Sequence, residues 1–289
     1  MASSAYPVQH GGICNYHALI AVAIVVLRLY TWFFLTAARF QMDDVFICCA
    51  AVCSIMLIPM AFKNLMFLRR MVMDAGVCLH MWDVTMAQYN PALGIWTLVT
   101  TILYAWAVIF SKLSILAFYL RLSPQKWFRI LTIALMGICT CYVLLYTFLF
   151  IFRYKPLAKN WDIAITTGSC IDTQTIMTVL SVANIVMDVL TLLLPIPVIM
   201  NFKTRLAQRI SVILIFSSGI FVCAIAIQRT VQMLGALTSP DYTWEITEQF
   251  YWSYIEVNAG ILCAHLATVF GSSQRSNARG GGGSRAPTG

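Results

Sequence analysis

The chain is predicted to be an all-α, polytopic membrane protein, a bundle of seven transmembrane helices with its N-terminus outside and its C-terminus in the cytoplasm. Three observations carry this expectation. Seven apolar stretches fill the sequence between about His17 and Phe270. The composition is 60% hydrophobic and 10% charged, with a mean hydropathy of +0.80, whereas a soluble domain carries about 25% charged residues. The Lys and Arg residues of the connecting segments are unevenly divided between alternate loops.

Crossing a bilayer core as a helix takes about 20 apolar residues, because backbone polar groups left unpaired in hydrocarbon cost several kcal/mol each. The stretches that meet this length are His17–Thr36, Val45–Phe62, Gly94–Leu120, Ile130–Phe152, Gln174–Met200, Ile210–Gly235 and Gln249–Phe270. With the N-terminus outside, the inner loops and tail hold Arg39, Arg121, Lys126, Arg129, Lys203, Arg205, Arg209, Arg275, Arg279 and Arg285. The outer loops hold Lys63, Arg69, Arg70, Arg153, Lys155 and Lys159, so the bias is ten against six. That asymmetry sets the orientation. The net charge of +8 then reads as topology signal and attraction to anionic lipid, with no nucleic-acid partner called for.

The flanks add little chemistry. Residues 1–16 form a short outer N-terminus without Lys or Arg, unlike a cleaved signal peptide, and residues 17–270 form the membrane domain. Residues 271–289 are rich in Gly and Ser and read as a disordered cytoplasmic tail. The longest loop, Lys63 to Leu93, is too short for a soluble catalytic domain. The Leu193-Leu-Pro-Ile-Pro197 run ends the fifth stretch, since two prolines remove backbone donors. Trp82, Trp96, Trp127, Trp161, Trp244 and Trp252 fall at the ends of stretches, where amphipathic rings anchor a bundle; Trp106 lies deep in the third.

Ionisable residues inside the spans single out the candidate site: Arg28, Lys112, Asp188, Arg229, Glu256 and His265. Each costs at least about 2.5 kcal/mol at mid-membrane and therefore pairs within the bundle. Counting residues from the outer ends at about 1.5 Å of rise each matches the depth of Arg229 with Glu256 and brings Lys112 within reach of Asp188. Two intramembrane ion pairs, Arg229–Glu256 and Lys112–Asp188, are the expectation. Such pairs fix helix packing, or they serve a ligand or a reaction. In an enzyme, Glu256 and Asp188 are the candidate proton donors, with Trp106, Tyr104 and Trp252 able to stabilise a cation through their ring faces. The four histidines lack metal-ligand spacing and the cysteines form no Cys-x-x-Cys pair, so no metal is expected. Cys14, Cys78 and Cys170 fall outside. An oxidising exterior permits one disulfide, for which Cys78 with Cys170 is the candidate pair and free thiols the alternative.

A set of short motifs resembles a known family. They are Arg28-Leu-Tyr followed by Asp43-Asp44, the run Ser111-Lys-Leu-Ser-Ile-Leu-Ala-Phe-Tyr-Leu-Arg121, Trp127-Phe-Arg, Trp161-Asp, Cys170-Ile-Asp172, Leu194-Pro-Ile-Pro197, and Glu256-Val-Asn-Ala-Gly-Ile-Leu-Cys-Ala264. In order and spacing they resemble the fungal rhodopsin-domain integral membrane proteins, which include receptor-like proteins and a membrane protein of a mycotoxin cluster. Two departures stand out. Tyr154 occupies a place where members often carry a cysteine, while Cys78 appears in the facing loop, which strengthens Cys78–Cys170 as a relocated bridge. The family's Pro-rich end of the last helix is replaced by His265-Leu-Ala-Thr268. No retinal or other cofactor is expected, because the seventh stretch has no lysine to form a Schiff base. The resemblance and the compact chain together favour a component of a specialised-metabolite pathway, its chemistry unassigned, with the bilayer and a lipophilic intermediate as partners. The alternative is a receptor-like sensor without retinal. Transport ranks last, since the chain has no evident repeat.

Overall fold

The computed structural model describes residues 42–61, 94–122, 125–160, 165, 168–197, 206–241, 245, 249–264 and 266. The first predicted stretch, His17–Thr36, lies outside the described residues, as do Arg28, Cys14, Cys78 and His265.

Six helices run through the described residues: α1 (Met42–Ala61), α2 (Gly94–Leu122), α3 (Lys126–Ile151), α4 (Thr173–Leu193), α5 (Leu206–Thr238) and α6 (249–264). Four contain segments long and apolar enough to cross a membrane: Thr97–Leu120, Lys126–Ile151, Thr173–Leu193 and Phe216–Thr238. On α1 the described side chains form a shorter apolar run, Val45–Ser54. Most of the predicted ends move by a few residues, and the fifth stretch, expected to run to Met200, ends as a helix seven residues earlier. Helix α3 starts at Lys126 rather than Ile130, directly after the extended N-cap residue Gln125, and α4 stops at Leu193, two residues before Pro195.

Helix α2 is the axis of the bundle. Of its spanning segment 67% is buried, against 28% for α3 and 33% for each of α4 and α5. It packs along α1 and α3, and α4 packs along α5. The outward faces are apolar: Ile130, Ile133, Ile138, Leu145 and Phe148 of α3 and Val179, Val182 and Val186 of α4 are exposed. An apolar exterior is costly in water and ordinary in lipid, so the chain is a helical membrane protein. Close approach of α2 and α6 depends on small residues, as expected where packing rather than water drives association. A Cβ on Gly260 would come within 2.8 Å of the Ser111 hydroxyl.

Between α3 and α4 the chain forms a small cap at one end of the bundle. Strands β1 (Tyr154–Lys155) and β2 (Ser169–Cys170) pair antiparallel, with Tyr154 opposite Cys170 and Lys155 opposite Ser169. The residue that departs from the family pattern, Tyr154, thus faces Cys170 across the backbone ladder. The proposed partner Cys78 is outside the described residues, and the structure gives no account of that bridge. A 3-10 turn (Leu157–Asn160) closes the cap. Buried Asn160 donates to the Ile151 and Leu157 carbonyls, satisfying the end of α3, and Arg153 lies over the Phe150 and Tyr154 rings.

Gly168 makes the return into β2 with φ of 113°, where a Cβ would overlap the Lys155 carbonyl oxygen. Asp172 then caps α4, accepting from the Gln174 N–H at 3.1 Å and from the Thr175 hydroxyl. The Thr175 hydrogen bond, with the Gln174 N–H behind it, holds the Asp172 carboxyl below its ordinary value.

Gly168→Ala is expected to destabilise the cap by about 1–3 kcal/mol, read as a lower thermal midpoint of the protein in detergent. A carboxyl whose folded value lies below its unfolded one stabilises the fold above the unfolded value and loses that contribution as pH falls toward the folded value. Acidification below about pH 4 therefore weakens the start of α4 in the wild type. Asp172→Asn flattens that part of the pH profile, measured as hydrogen exchange of the first α4 amides.

Candidate functional site in the bundle interior

The interior of the bundle holds a continuous polar chain built from four helices. The spacing of the residues puts them on inward faces. On α4, Ser181, Asn184 and Asp188 recur at intervals of three and four and are all buried. On α2, Tyr104 and Lys112 lie eight residues apart, just over two turns, on the same side. Arg229 of α5 and Glu256 of α6 complete the set, 5% and 2% exposed.

Lys112 Nζ lies 3.1 Å from Asp188 Oδ1. It also donates to Asn184 Oδ1 at 2.8 Å and to the Asn184 backbone carbonyl at 3.1 Å, so its three protons have three acceptors. Asn184 turns its other side-chain atom the opposite way: Nδ2 donates to Glu256 Oε1 at 3.0 Å. The second Glu256 oxygen accepts from the Tyr104 hydroxyl at 2.7 Å and lies 2.8 Å from Arg229 Nε. Arg229 also stacks over the Tyr104 ring, its Cζ 4.8 Å from the centroid, and reaches the Ser181 hydroxyl at 3.4 Å. The order Asp188, Lys112, Asn184, Glu256, Arg229 alternates in sign across a neutral amide and sums to zero charge. Asn184 admits one orientation only, because a flipped amide would aim its NH2 at an ammonium and its carbonyl at a carboxylate.

One end of this chain borders a cavity of about 50 Å³. Tyr104, Asn184 and Arg229 form its polar floor. Tyr142 and Tyr146 of α3, Met177 and Ser181 of α4, and Met233 of α5 form its sides. Thr100, Thr101, Gln249, Phe250 and Tyr251 rim it at the start of α2 and α6. These helix starts lie at the same end as the β1–β2 cap, so the cavity lies in the half of the bundle nearer the cap.

The sequence-derived candidates divide at this cavity. Glu256 is one hydrogen bond behind the floor, through Tyr104 or Asn184, and Asp188 is farther back, beyond Lys112. Neither carboxylate lines the space. Of the aromatic residues considered for a cationic intermediate, Tyr104 lines it; Trp106 packs against Phe110, and Trp252 is not among the lining residues. Sequence reasoning did not single out Tyr142, Tyr146, Ser181 or Met233 for the site. The first two are ordinary aromatic residues of an apolar span, and only their meeting with Arg229 from α5 gives them a place. Among the described residues no group of His, Cys, Asp or Glu is arranged to hold a metal.

Residues 27–272 match the family model described as the fungal rhodopsin domain. A SAT4 family membrane protein of Emericella nidulans is 32% identical over 171 residues, covering 58% of this chain and 43% of the relative. The fugralins biosynthesis cluster protein 2 of Gibberella zeae is 24% identical over 205 residues, 67% of this chain and 50% of the relative. The satratoxin biosynthesis SC1 cluster protein 4 of Stachybotrys chartarum is 25% identical over 162 residues, 56% and 58% of the two chains. The chain spans about half the length of the curated relatives it matches. No solved structure matches.

Removing one member of a buried ion pair strands the other, at a cost of about 3–5 kcal/mol. Glu256→Gln and Arg229→Met are each expected to lower the thermal midpoint in detergent strongly, and the double variant to recover most of the loss. A double-mutant cycle checks this: the coupling should exceed the roughly 0.5 kcal/mol within which independent sites add.

Proposed function

The chain belongs to the fungal rhodopsin domain family, and from that premise we propose that it is a multi-pass membrane protein of a fungal specialised-metabolite pathway, acting on or escorting a lipophilic intermediate. The observation that carries the reading is the pair of relatives named for fugralin and satratoxin biosynthesis clusters. The cavity supports it, because it gives a bundle with no soluble domain among its described residues a place to receive a small molecule within the membrane. In this reading the full chain forms seven spanning helices with the N-terminus outside. The ten-to-six division of basic residues supports the orientation, and the cavity then lies in the outer half of the bundle.

The roles of the interior groups follow from their order. Arg229, Tyr104 and Asn184 meet the ligand. Glu256 orients all three, and Lys112 with Asp188 anchors Asn184 from behind. Glu256 and Asp188 thus act as positioning groups, and the residue closest to chemistry is Tyr104.

The test is the metabolite profile of a deletion strain, complemented with the wild type and with Thr101→Trp, which fills the cavity rim while leaving the ion pairs in place. One intermediate should accumulate in the deletion strain, be cleared by the wild type, and persist with Thr101→Trp present at normal abundance. An unchanged profile in the deletion strain overturns the pathway reading and transfers the cavity to a receptor-like sensor.

A further inference from the structure

We propose that the cavity selects a neutral, oxygen-bearing group, a hydroxyl or carbonyl at the end of an otherwise apolar molecule, and excludes both carboxylates and ammonium ions. The proposal rests on the cavity being a ligand site and specifies the class of ligand it takes.

The argument starts from the floor. Arg229 is the one cation among the lining residues, and Glu256 stands 2.8 Å behind it. The floor therefore carries no net charge, yet it still offers hydrogen bonds of both kinds. A guanidinium has five N–H donors. Nε is held at 2.8 Å from Glu256 by the ion pair and one terminal nitrogen donates to Ser181 at 3.4 Å, which leaves terminal N–H groups for a ligand oxygen. The Tyr104 hydroxyl donates its one hydrogen bond to Glu256, so its oxygen can accept from a ligand in the cavity. A hydroxyl satisfies both groups and a carbonyl satisfies Arg229.

Charged ends fit badly. A carboxylate on Arg229 would sit beside the Glu256 carboxylate and compete for the same cation. An ammonium would meet the guanidinium at short range. Either would enter as an unbalanced charge in a space screened by protein, a penalty a neutral group avoids.

Size sets the rest of the ligand's chemistry. About 50 Å³ accommodates roughly three to five water-sized groups at 10–15 Å³ each, enough for the polar end and a few carbons. Those carbons lie against Met177, Met233 and Phe250, and two thioethers and a ring fit an apolar body of variable shape.

The protein in lipid nanodiscs would be photolabelled with three probes that share one aliphatic diazirine chain and end in a hydroxyl, a carboxylate or a trimethylammonium. Labelled residues would be located by mass spectrometry. The hydroxyl probe should label Met177, Met233 or Tyr146 about tenfold more than either charged probe, the ratio that 1.4 kcal/mol of discrimination gives. Thr101→Trp should remove this labelling and leave that of the exposed α3 residues Ile130 and Phe148 unchanged. Equal or stronger cavity labelling by a charged probe overturns the proposal, as does labelling confined to the outward faces by all three. These outcomes are independent of the metabolite profile. Cavity labelling by a charged probe sinks the ligand class while the pathway assignment stands, and an unchanged profile with hydroxyl-selective labelling does the reverse.

Discussion

The amide of Asn184 is the interaction on which the interior depends. It touches both ion pairs, accepting from Lys112 and donating to Glu256. Without it the bundle would contain two separate charged contacts, each needing its own desolvation to be offset. With it, Lys112, Asn184 and Glu256 form one run of hydrogen bonds across α2, α4 and α6, to which Arg229 joins by its ion pair. A buried ion pair is weak evidence for stability by itself, and its better-attested use is to fix register. Here the register is between helices: α4 cannot turn or slide relative to α2 and α6 without leaving a donor or an acceptor unpaired.

Around this fixed centre, packing is divided between close and loose contacts. Ser111 and Gly260 bring α2 and α6 near enough for Tyr104 to reach Glu256. On the other side, Tyr142 ties α3 to α4 through the Leu180 carbonyl at 2.9 Å. The cavity sits where these two regimes meet, bounded by rigid polar groups below and by methionines and rings above. The cap between α3 and α4 lies at the same end of the bundle and is itself held by Asn160 and the Gly168 turn.

The sequence carried the helices and the polar centre further than it carried the pocket. Span length and apolar composition are set by the bilayer, so the stretches from Gly94 to Gly235 are legible to within a few residues, apart from the end of α4 at Leu193, where the prolines stop the helix before Met200. Charges in hydrocarbon stand out for the same reason. Counting depth along the spans matched Arg229 to Glu256 and Lys112 to Asp188, and the structure sets these groups 2.8 and 3.1 Å apart. The bridging role of Asn184 was not legible, since an asparagine near a charge in sequence need not touch two charges in space. Nor were Tyr142, Tyr146 and Met233, whose types are common in any apolar helix and which meet only through helix rotation. The lining of a cavity is a property of the assembled bundle, and one sequence without its packing holds no local sign of it. The β1–β2 ladder was missed too, because two-residue strands leave no periodicity to read.

The zero sum of the interior charges has an electrical consequence. A membrane potential does work only on charge that moves across it, about 2.3 kcal/mol per elementary charge for each 100 mV. Lys112 paired with Asp188 and Arg229 paired with Glu256, joined through Asn184, travel together or not at all, and the contributions of these four groups cancel. These four ionised side chains can therefore sit inside a membrane without adding to the bundle's sensitivity to voltage, so that a change at their end of the cavity answers to chemistry and not to the state of polarisation of the cell.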